Sequence, residues 1–96
     1  MEYKTHNTKK IDVSEISFLG YVSDTPYEKM FNLFGKSTLL NNPGDAEWHI
    51  EFPDGEVCVI YNYEFFAPKE DLTNWKILGS DISVVSKIYK IIYLGE

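Results

Sequence analysis

Ninety-six residues, 44% hydrophobic and fifteen of them aromatic, are enough to close one modest core and argue against disorder, which goes with low hydrophobicity and few aromatics. Nine lysines and no arginine stand against fifteen carboxylates, for a net charge of −6. This disfavours direct nucleic-acid binding, since arginine is the side chain that forks onto phosphates and guanine edges. A single cysteine, Cys58, excludes an internal disulfide and a thiolate-rich metal site and fits a reducing compartment.

Residues 1–10 are polar, carry Lys4, His6, Lys9 and Lys10, and lack the apolar run of a signal peptide; they read as a flexible arm ahead of a single domain over 11–96. Ile16, Phe18 and Tyr21 then predict a short strand that stops at Ser23 and Asp24. Asp24 or Thr25 can cap a helix whose first turn suits Pro26, and Tyr27, Met30, Phe31 and Phe34 repeat at helical spacing before Gly35 ends it. Residues 36–45, with the turn-forming Asn42-Pro43-Gly44-Asp45, form the longest connection and are a place for ligand contacts.

Ala46, Trp48, Ile50 and Phe52 alternate with Glu47, His49 and Glu51, the period of a strand with one buried face. Asp54-Gly55 predicts a two-residue hairpin turn and a return strand over 57–65. A two-residue turn would pair Phe52 with Val57, Ile50 with Val59, Trp48 with Tyr61 and Ala46 with Tyr63. Residues 67–74 read as a loop and Trp75–Leu78 as a strand. Ser80 or Asp81 would cap a last helix with Ile82, Val85, Ile88, Tyr89 and Ile92 on its buried face and Lys87 and Lys90 opposite, ending at Gly95. The expected fold is α+β: an antiparallel sheet of three to four strands with two helices packed on one face. The longest apolar patches, such as Ile16–Val22 and Ile88–Leu94, fall far short of the roughly 18–20 residues of a membrane span, so no membrane contact is expected.

Gly35-Lys36-Ser37-Thr38 invites comparison with a phosphate loop, but that loop needs another glycine five positions earlier, where Met30 stands in a helix. His49 and Cys58 fall on one face of the predicted hairpin beside Glu51. A structural metal site usually needs four ligands, so His49 reads as a half-exposed strand residue and Cys58 as a small apolar filler, with no metal and no cofactor. The carboxylates are spread along strands and turns, without the facing pair that general acid catalysis requires. The expectation is a protein that is not an enzyme.

The charge is nonetheless concentrated. Eight carboxylates lie between Asp45 and Asp71, opposed there by Lys69 alone, and the local charge of −7 exceeds that of the whole chain. On a stiff hairpin this acid can meet a basic partner over a broad face.

The run Asp45-Ala46-Glu47-Trp48-His49-Ile50-Glu51-Phe52, then Asp54-Gly55-Glu56-Val57 and Ile60-Tyr61-Asn62-Tyr63, followed by Trp75-Lys76-Ile77-Leu78-Gly79 and an apolar helix, resembles a type of small bacteriophage-encoded accessory protein. The resemblance covers about residues 26–94 and implies a counter-defence protein of the anti-CRISPR kind, acting in the host cytoplasm by stoichiometric binding. It fixes no catalytic residue. The expected mode is an acidic face of Glu47, Glu51, Asp54, Glu56 and Glu64 that occupies a basic nucleic-acid-binding groove of a host defence protein, its carboxylates standing in for phosphates. A second expectation is a sponge for a cyclic nucleotide signal, built as a homo-oligomer and using Lys36, Ser37, Thr38 and Lys76. A third is a structural or host-interaction module.

Overall fold

The computed structural model describes residues 2–8, 10–11, 15–38, 46–62 and 72–95. They form strands β1 (Lys4–His6), β2 (Ser17–Val22), β3 (Ala46–Glu51), β4 (Val57–Asn62) and β5 (Trp75–Gly79), with helices α1 (Tyr27–Phe34) and α2 (Ser83–Leu94). The strands make one antiparallel sheet in the order β1-β3-β4-β5-β2. The class is α+β as expected, but with five strands: Lys4–His6, expected in a loose arm, pair along β3.

The hairpin turn is one residue longer than its Asp-Gly signal suggests. Gly55 N–H donates to Phe52 C=O at 3.0 Å and Phe52 N–H to Glu56 C=O at 2.9 Å, so Pro53, Asp54 and Gly55 make a three-residue loop. Proline suits the first central position of its turn and Gly55 takes the left-handed φ of 90° that closes it. The register therefore moves by one: Trp48 faces Ile60, Ile50 faces Cys58 and Glu51 faces Val57. A slip of one turns the whole return strand over. Cys58 and Ile60 go into the core, whereas Val59 and Tyr61 stand on the opposite face with Glu47 and His49.

Both helices cover the face that carries Trp48, Ile50, Ile60, Trp75 and Ile77. The two indoles lie edge to face, 5.2 Å between centroids, and each N–H holds one end of α1. Trp75 Nε1 donates to Thr25 C=O at 2.8 Å, just before the helix, and Trp48 Nε1 to Gly35 C=O at 2.9 Å, just after it. Burying each indole removes roughly 200 Å² from water, on the order of 5 kcal/mol before chain entropy is set against it. The expected caps are not used at α1: Thr25 Oγ1 donates to Ser23 C=O, and Pro26 is the N-cap.

Helix α2 is rotated from its predicted setting. Its buried stripe is Val84, Ile88, Ile91 and Ile92, while Ile82 and Tyr89 are exposed. The cause is a gap in the sheet at Gly79: a Cβ there would stand 2.6 Å from Val84 Cγ2, so Val84 seats where β5 has no side chain. Asp81 still serves the helix entry, its Oδ1 accepting Ser83 N–H at 3.4 Å. Among the described residues no helix is long and apolar enough to cross a membrane.

Candidate functional site: the hairpin and its acidic end

The acidic hairpin face divides into two parts that differ in what surrounds the carboxylates. Glu47 is only 5% exposed, and the correction has a geometric cause. It lies on β3 beyond the last residue of β1, where Ser37 and Thr38 continue the covering of that edge. Glu47 N–H donates to Ser37 Oγ at 2.9 Å, and Glu47 C=O accepts Ser37 Oγ–H at 3.0 Å and Thr38 N–H at 2.6 Å. Thr38 Oγ1 donates to His6 C=O at 2.6 Å and accepts His49 N–H at 3.1 Å. Glu47 Oε2 itself lies 2.5 Å from His49 Nε2.

His49 is buried too, not half-exposed as its strand position suggested. Its Nδ1 accepts the backbone N–H of Ile11 at 3.3 Å, so in this arrangement Nε2 carries the proton and donates it to Glu47. Neither histidine ring bonds a hydroxyl or thiol among the described residues. Cys58 lies on the other face of the hairpin, because the register sets it opposite Ile50, and burial pushes its thiol up to about 12. The carboxylate–imidazole pair is therefore a structural tie: it holds the covering segment at Ile11 to the sheet. Among the described residues no three metal-ligating side chains gather.

The other acids are at the turn end of the hairpin and remain accessible. Glu51 has a side-chain exposure of 46% and meets His6 Nε2 at 3.0 Å. Asp54, 51% exposed, and Glu56 share Lys87 of α2, at 2.5 and 2.7 Å. Ser83 Oγ also donates to Glu56, and the Lys87 ammonium lies 4.8 Å from the centre of the Phe52 ring. The hydrogen bond from Lys87 holds the Asp54 carboxyl below its usual range and, reciprocally, raises Lys87. Next to these acids, Glu2, Tyr3, Lys4, Glu51, Phe52, Pro53 and Gly55 line an open cavity of about 590 Å³. Glu64 lies outside the described residues.

The alternative set, Lys36, Ser37, Thr38 and Lys76, does not converge. The Ser37 and Thr38 hydroxyls are engaged with backbone as above, and Thr38 is buried. Lys36 is exposed on the loop after α1, where its carbonyl and that of Phe34 accept the Asn7 amide. Lys76 is on β5, its Nζ 5.9 Å from the Tyr61 ring centre, and β4 separates it from β3 by about 10 Å.

Sequence reasoning missed His6, Asn7 and Ser83 as partners of this region. All three act across long sequence separations and carry no local pattern. Comparison of the chain with protein-family models, curated proteins and solved structures gives no match.

Proposed function

We propose that this chain works by stoichiometric binding, as a phage-type inhibitor of a bacterial immune protein, presenting the carboxylates at its hairpin end to a basic nucleic-acid-binding groove. The observation that carries the reading is the grouping of Glu51, Asp54 and Glu56 at the turn, with Glu2 across the adjoining cavity. Their present partners, His6 and Lys87, form ion pairs open to solvent, which contribute little net stability and are screened by salt. A cationic groove can replace them without unfolding the domain. The face is smaller than the sequence suggested, because Glu47 is withdrawn into the interior.

The test is protection of an infecting phage in bacteria that carry a nucleic-acid-guided immune system. The double variant Glu51→Lys/Asp54→Lys is expected to lose protection while keeping the parent's melting temperature, and binding of the purified immune effector should weaken as salt rises. Full protection by that variant would refute the acidic end as the working surface.

A further inference from the structure

Seven large hydrophobic side chains are exposed by more than a third, and six of them lie on α2 and the neighbouring edge strand β2. On α2, Ile82, Val85, Ser86, Tyr89 and Tyr93 line a shallow groove of about 590 Å³ at the three- and four-residue spacing of a helix-pairing seam. Leu94, 68% exposed, continues it. The tyrosines reach across to β2: Tyr89 Oη donates to Tyr21 C=O at 2.8 Å, and Tyr93 Oη donates to Ser23 C=O and accepts Ser23 N–H, both at 3.1 Å. Phe18 and Tyr21 extend the apolar surface round the edge onto the opposite face, their rings 5.1 Å apart.

From this surface we infer that the chain pairs with a second copy of itself through α2, the two helices antiparallel and centred near Val85 and Ser86. Three observations select that occupant. Six large side chains about half exposed present roughly 700 Å², close to the roughly 800 Å² per partner of a standard interface. The exposed charges along this seam are Asp81 at its start and Lys90 near its end, so antiparallel pairing sets Asp81 of each copy against Lys90 of the other. Parallel pairing would align like charges. Finally, the Tyr89 and Tyr93 hydroxyls already occupy backbone groups of Tyr21 and Ser23, which closes that end of β2 to strand addition and leaves side-chain packing as the means of contact. The accessible carboxylates of the hairpin lie off this seam, so a chain of net charge −6 meets itself here with the least repulsion.

Sedimentation equilibrium of the whole chain between about 1 and 500 µM tests this. The expected mass rises towards twice the 11.1 kDa of one chain. Ile82→Glu should weaken association at least tenfold while leaving the circular dichroism spectrum of the dilute chain unchanged, since Ile82 is 63% exposed. Asp81→Lys and Lys90→Asp should each weaken association, and the two together should restore it. A single-chain mass at every concentration, or association unaffected by Ile82→Glu, would overturn the inference. Failure of the double swap to restore what the single swaps lose would overturn the antiparallel arrangement.

Discussion

Glu47 separates a solvated acidic face from a built interior. Replacing it with Ala removes the acceptor 2.5 Å from His49 Nε2 and leaves a ring N–H facing a void in a site where both side chains are 6% exposed or less. Losing a hydrogen bond to a charged group costs about 1.5–3 kcal/mol, and removing one member of a buried ion pair costs about 3–5 kcal/mol. Here His49 is held neutral by Ile11 N–H, so the lower range applies, about 2–3 kcal/mol. For a domain of this size each kcal/mol lowers the melting temperature by about 4–8 °C, giving a fall of about 10–20 °C. Glu51→Ala, on the exposed part of the same strand, should stay within about 0.5 kcal/mol of the parent. Urea denaturation followed by tryptophan fluorescence measures both. A cycle with His49→Leu should return a coupling of at least about 1 kcal/mol between Glu47 and His49. Equal stability of the Glu47→Ala and Glu51→Ala variants would refute the buried tie and return Glu47 to the surface.

Gly79→Ala should destabilise by about 1–3 kcal/mol in the same assay, because its Cβ would press on Val84 at 2.6 Å, Leu19 at 2.9 Å and the Val57 carbonyl at 3.3 Å. Cys58 gives a pH dependence at the alkaline end. Its folded pKa, about 12, lies above the ordinary 9.0, so its contribution is fully present below pH 9 and is lost as pH rises towards 12, at up to about 1.4 kcal/mol per unit. Cys58→Ala should flatten that slope in denaturation curves taken from pH 8 to 11. At the acid end the sign reverses. Asp54 is depressed by its hydrogen bond from Lys87, so its contribution is present above the ordinary carboxylate range and disappears as pH falls through the depressed value. Lys87→Met should raise the Asp54 pKa in a carboxyl NMR titration, and an unmoved Asp54 would dismiss the contact.

The positions of β2, β3, β5 and α1 were legible because each rests on a short-range pattern: alternation from Ala46 to Phe52, helical spacing from Tyr27 to Phe34, and Gly35 as a stop. What escaped depends on partners distant in sequence. Pro53 gives no signal of its own that decides between a two- and a three-residue loop, yet it fixes the register and with it the faces of Cys58, Val59 and Ile60. The setting of α2 follows from the gap at Gly79, which cannot be seen in the helix sequence. Lys4–His6 hold too little apolar pattern to announce a strand, and pair because β3 offers them an edge. In the candidate site, Glu51, Asp54 and Glu56 were legible as accessible acids. Glu47 was not, since alternation places it on the polar face and only Ser37, Thr38 and His49 show that this face is covered there.

The two indole hydrogen bonds at the ends of α1 bear on the order of folding. A helix of eight residues is too short to persist alone in water, where about 12–15 residues are needed even for favourable sequences. Its carbonyl anchors belong to Trp48 on β3 and Trp75 on β5, strands that become neighbours of β4 only when the long-range pairing is made. Helix α1 is thus a late product of sheet assembly and not a nucleus for it. The same two rings are the chain's only tryptophans and stand 5.2 Å apart, so one optical signal, their coupled absorption and emission, reports the moment at which the sheet has closed and the helix has docked.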